Sequence, residues 1–238
     1  MQRAPDGTYL LYYMGNQLPG GKPENCSSSL ARSADELSSA VDAQRVGLAT
    51  APGPAGPWTR LDEPILEPGP KGAWDDLFTT NPSAHVLANG SVLLVYKGRG
   101  TSKPGAMYTG VAWAEHWEGP YTKMGGGPMA GVPTYCEDAG VYHGPITNRY
   151  IAVFHCGCNY LATWSEDGIT WEPAFAKPIP WCQVTYADGT NGTMRRRERP
   201  QFIKDSQGHL VGFTNGVLPS DHSHDGGDRV FTMVSLLK

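Results

Sequence analysis

Short apolar runs separated by turn residues recur along the whole chain, and no long stretch carries apolar residues at helical spacing. Three segments share one shape: 79–87, 134–142 and 197–203 each open on polar residues and continue as a hydrophobic strand, at intervals of about 60 residues. The middle one sets two acids, Glu137 and Asp138, at the head of its apolar run. A second strand is expected four times after a turn, at 8–14, 89–98, 148–155 and 207–214, and a third four times, at 45–50, 108–114, 159–164 and 229–234. A unit that begins with polar groups and folds back as successive strands predicts blades around a common axis, with the polar heads converging on one mouth. That mouth is the expected place of function.

After the third strand, the first three units reach similar turns: Gly56-Pro57-Trp58-Thr59, Gly119-Pro120-Tyr121-Thr122 and the run from Ser165 to Trp171. The last resembles the Asp-box turn of propeller hydrolases, where Asp and Thr side chains bond local backbone and the Trp anchors the hairpin. Asp167 is therefore expected to be structural. Residues 16–43, rich in Gly, Pro, Ser and Asn, are expected to form a loop insertion with a short helix at 33–41. Residues 1–238 are read as a single domain that starts inside a hairpin whose first strand lies upstream of Met1.

Composition sharpens this picture. The 30 Gly and 20 Pro favour an all-β fold. A net charge of −4 gives no basic face for nucleic acid, so Arg195-Arg196-Arg197 reads as a loop or as a site for an anionic group on a small ligand. No apolar run reaches the ~20 residues that span a bilayer, so no membrane partner is expected. The five Cys lack zinc or thioredoxin spacing and are expected to be free buried thiols. Three glycosylation patterns, at Asn25, Asn89 and Asn191, slightly favour an extracellular or secretory place. His222 and His224, with Asp221, Asp225 and Asp228, read as a solvent-facing turn; no cofactor is expected, and a central Ca²⁺ has no support.

With these segments in place, the sequence resembles the five-bladed β-propeller glycoside hydrolases, the broad group containing families 43, 32 and 117. The resemblance rests on Gly47-Leu48-Ala49-Thr50 followed by Gly56-Pro57-Trp58, on Asn81-Pro82, on Tyr96-Lys97-Gly98, on Glu137-Asp138 and on Glu198-Arg199-Pro200. It implies a five-bladed-type propeller with about four blades represented, incomplete at the N-terminus, and a terminal sugar bound in the axial funnel. It also implies an acidic base or nucleophile on the first blade, upstream of Met1, and an Asp where this chain has Asn81. A family 43 likeness implies inversion of configuration, and a family 32 likeness retention.

Cleaving a glycosidic bond requires a proton donor and a carboxylate on the opposite side. Glu137 is the expected general acid, its pKa raised by burial and by Asp138, and Glu198 is the expected second carboxylate. Because adjacent strand residues point to opposite faces, only one of Glu137 and Asp138 should meet a ligand. Asn81, Asp138, Arg199, His155, Trp74 and Lys97 complete the expected sugar contacts, with His85 and His143 as further His residues able to reach the axis. The alternative is a propeller that binds carbohydrate without hydrolysing it.

Overall fold

The computed structural model describes residues 1–16, 42–103, 105–173, 179–220 and 230–237, with no account of the side chains of 179 and 180. Within them are sixteen strands in four antiparallel sheets of four. The first sheet runs β1 (Gln2–Arg3), β2 (Tyr9–Asn16), β3 (Gln44–Ala51) and β4 (Thr59–Arg60). The second runs β5 (Phe78–Val86), β6 (Val92–Arg99), β7 (Tyr108–Ala114) and β8 (Thr122–Met124). The third contains β9 (Glu137–Gly144), β10 (Arg149–Cys156), β11 (Asn159–Ser165) and β12 (Ile179–Pro180). The fourth contains β13 (Gln183–Thr185), β14 (Asn191–Lys204), β15 (Leu210–Pro219) and β16 (Phe231–Leu236). Strands β5, β9 and β14 pack against one another in turn, so the sheets stand as four propeller blades. The first strand of the opening hairpin, expected upstream of Met1, has a counterpart within the chain: the two-residue β1, paired with Tyr9 and Leu10.

Strand β6 shows why the blades stack. Its alternate residues Leu94 and Tyr96 join Leu10, Val46 and Leu48 in the core between the first two sheets. The intervening Leu93 and Val95 join Val141, Ala152 and Phe154 in the core towards the third sheet. A strand buried on both faces reads as one continuous apolar run, which is what residues 92–96 are. Gly140 lets β14 approach β9 closely, because a Cβ there would collide with the Pro200 carbonyl oxygen.

The Asp-box expectation matches the local geometry. The Asp167 carboxylate accepts from the backbone N–H groups of Ile169 and Thr170, both at 2.7 Å, and the Trp171 indole donates to the Gly168 carbonyl at 3.0 Å. These donors lower the Asp167 pKa to about 2, led by the Thr170 N–H.

The free-thiol expectation is overturned. Cys136 is bonded to Cys156, and Cys158 to Cys182. Cys136 lies just before β9 and Cys156 ends β10, so pairing of these two strands brings the thiols together across 20 residues of sequence. Cys26, the expected helix at 33–41, most of the 16–43 insertion and the His222–His224 turn lie outside the described residues.

Candidate functional site

Each of β5, β9 and β14 carries a β-bulge at the same place, where two residues oppose one on the neighbouring strand. Asn81-Pro82 lies opposite Tyr96, Asp138-Ala139 opposite Phe154, and Arg199-Pro200 opposite Asn215. The first residue of each bulge is left-handed, with φ of 46° at Asn81, 49° at Asp138 and 55° at Arg199. Such a backbone costs a non-glycine residue about 1 kcal/mol, and it recurs in three adjacent blades. The matching of segments by sequence sets Glu137 level with Asn81; the structure corrects this by one residue. Asp138 and Arg199 are the true counterparts of Asn81, and Thr80, Glu137 and Glu198 each precede a bulge.

Asp138 is the centre of this arrangement and is 9% exposed. The Asn81 amide donates to its Oδ1 at 2.7 Å, and the Thr80 hydroxyl fixes that amide by donating to Asn81 Oδ1 at 3.1 Å. On the other oxygen, Arg199 Nε stands 3.7 Å away and His155 Nδ1 4.0 Å. His155 Nδ1 is buried without a hydrogen-bond partner, so it is held towards Asp138 unsatisfied. Burial raises the Asp138 pKa; Arg199 and His155 oppose the rise, while Glu137 and Glu198 add to it.

Glu137 and Glu198 flank this carboxyl at equivalent strand positions. Glu198 Oε1 pairs with Arg196 Nε at 3.2 Å, as two residues on one face of β14 can. The bulge at Asp138-Ala139 breaks strict alternation after Glu137, and the charges of both acids oppose the lowering of the Lys97 pKa by burial.

Two expected sugar contacts are elsewhere. Lys97 is 2% exposed, the third of the row Leu93, Val95, Lys97 that faces the third sheet. Its ammonium donates to the carbonyls of Met107 at 3.3 Å, Thr134 at 3.2 Å and Cys136. Trp74 stacks on Tyr96 at 5.6 Å and meets Tyr108 edge-on at 6.3 Å, filling space between the first two sheets instead of facing a sugar. His85 and His143 also leave the site: they sit near the far ends of β5 and β9, 6.1 Å apart, in a groove of about 520 Å³ that Lys204 also lines.

Arg197 departs from the expectation of a basic ligand site. Its guanidinium is buried 3.6 Å over the Trp181 ring and donates to Trp181 O, Asn215 Oδ1 and Ser235 Oγ. Asn215, opposite the third bulge, donates in turn to the Glu198 carbonyl at 3.3 Å. Sequence reasoning missed Thr80 and Asn215, and read Arg196 only as part of a basic run; Thr80 stands one residue from Asn81, already singled out. Among the described residues, no three His, Cys, Asp or Glu side chains group as a metal site.

No family model and no curated protein matches the chain. Solved structures do. A family 117 glycoside hydrolase from the marine bacterium Zobellia galactanivorans superposes with a TM-score of 0.55 at 20% identity, over 95% of this chain and 56% of the other. The fructan 1-exohydrolase IIa of Cichorium intybus gives 0.55 at 16% identity, over 98% and 41%. An α-L-arabinofuranosidase from Lactobacillus brevis gives 0.54 at 13% identity, over 97% and 69%. The fold is that of the propeller glycoside hydrolases. The chain spans 56% and 41% of the first two structures.

Proposed function

We propose that the protein is a glycoside hydrolase acting on oligo- or polysaccharides at the mouth around Asp138. The observation that carries this reading is the threefold bulge, which sets Asp138 between Asn81 and Arg199 and flanks it with two glutamates. Glu137 is the proton donor: among the described residues its carboxyl has no hydrogen-bond or ion-pair partner, so it is free to turn to a glycosidic oxygen. The proton passes to the leaving oxygen as its bond to the anomeric carbon breaks, and water completes the hydrolysis. Glu198 supplies a second carboxylate held by Arg196, while Asn81, Asp138, His155 and Arg199 bind sugar hydroxyls. A five-bladed ring, with its further acid on the first blade, belongs to the same proposal.

Asn81 favours a second reading. An amide cannot act as a base, and its donation to Asp138 engages one oxygen of that carboxylate. Reducing-sugar release from a panel of aryl glycosides and oligosaccharides separates the two. Release that disappears in Glu137→Gln supports the hydrolase; sugar binding without release, equal in chain and variant, supports the binder.

A further inference from the structure

Lys97 and His155 occupy equivalent places on second strands, Lys97 opposite Thr80 and His155 opposite Glu137. His155 faces Asp138, but Lys97 turns down to a different task. A buried lysine normally meets a carboxylate; this one spends its donors on three backbone carbonyls. Two of these belong to Thr134 and Cys136, in the segment that leads directly into Glu137 and Asp138. The third, Met107, stands just before β7 of Lys97's own sheet. The Cys136–Cys156 disulfide ties the same segment to the end of β10, next to His155. The entry to β9 is thus held from the second sheet by an ammonium and from the third by a covalent bond.

We propose that Lys97 is a positioning residue, whose ammonium fixes the Thr134–Cys136 backbone and thereby presents Glu137 and Asp138 to the mouth. This rests on the proposed function for its consequence in activity, but not for its structural content.

The ammonium has three protons and three carbonyls to meet; the neutral amine has two protons and must release one. Burial lowers the Lys97 pKa to about 8, against the opposing pull of Glu137 and Asp138, the charged groups that face it. Two effects of opposite sign follow. Because the folded pKa lies below the ordinary 10.5, the buried charge costs stability below about pH 8, and that cost is relieved as pH rises towards 10.5. Over the same range the β9 entry loses a hydrogen bond and loosens. A lysine that served stability alone would show the first effect without the second.

The test is an NMR pH titration of the full chain, following Lys97 ¹³Cε and the amides of Cys136, Glu137 and Asp138 between pH 6.5 and 9.5, with Lys97→Met beside it. The expected result is a common titration near pH 8 in the chain, absent from the variant. Lys97 titrating while those amides stay still overturns the proposal, as does their unchanged titration in Lys97→Met. If the variant does not fold, the titration of the unaltered chain decides. Where a substrate has been found, Lys97→Met lowers kcat roughly 10- to 100-fold with little change in KM and removes the alkaline limb of the pH profile. A chain that hydrolyses nothing refutes the enzyme reading and leaves the NMR result standing.

Discussion

The amide of Asn81 donates to the carboxylate of Asp138 at 2.7 Å, and these two residues occupy the same left-handed bulge position in neighbouring blades. The repeat that shapes the blades therefore also builds the contact at their centre. Removing the amide leaves a buried carboxylate short of one donor, at a cost of about 1–3 kcal/mol. Asn81→Ala is expected to lose that much in urea denaturation at pH 7 and to raise the Asp138 pKa further. An unchanged midpoint and unchanged Asp138 titration would remove the contact from the account.

Asp138 also gives the site a pH signature. Its folded pKa lies above the ordinary value, so its buried charge costs stability at neutral pH, and the cost is relieved as pH falls through the folded pKa towards 3.8. Asp138→Asn is expected to abolish this contribution while keeping an acceptor for Asn81. Denaturation midpoints from pH 7 to 4 measure it: the variant's curve should lack the relative gain on acidification shown by the unaltered chain.

His85 acts in the opposite direction. Burial pushes its pKa down to about 3 from 6.5, so the unfolded chain takes up the proton first and stability falls between pH 6.5 and about 3. The slope from one such group approaches ~1.4 kcal/mol per pH unit. His85→Gln should flatten that limb, and a stability curve of unchanged slope would show that His85 does not carry it.

The Cys136–Cys156 bridge closes a segment of 20 residues, for which constraint of the unfolded chain contributes about 3 kcal/mol. The double variant Cys136→Ala/Cys156→Ala should lose stability of that order and show faster amide exchange at Glu137 and Asp138. Exchange that stays slow at both residues would mean the bond stabilises the blade without fixing the acid pair.

Much of this fold can be read from the sequence because blade strands alternate with clear turn signals. The run at 92–96 announces a strand buried on both faces, and Asp167 with Trp171 announces its turn. The site is legible only in part. A bulge adds one residue to a strand without changing its composition, so the sequence repeat sets Glu137 where Asp138 belongs. Lys97 and Trp74 carry side chains suited to sugar, but the place of Lys97 on β6 and of Trp74 in the turn before β5 sets both in the spaces between sheets. The disulfides were hidden because the partners meet through strand pairing and not through a recognisable spacing.

We propose that the glutamates beside Asp138 carry out glycoside hydrolysis. The most direct test is reducing-sugar release from aryl glycosides and oligosaccharides by the chain, by Glu137→Gln and by Glu198→Gln, each verified as folded. The expected result is release by the chain, a loss of at least roughly 100-fold in Glu137→Gln, and a large loss in Glu198→Gln. Loss in Glu198→Gln alone would reassign the proton donor to Glu198, and release that survives in both variants would contradict the claim.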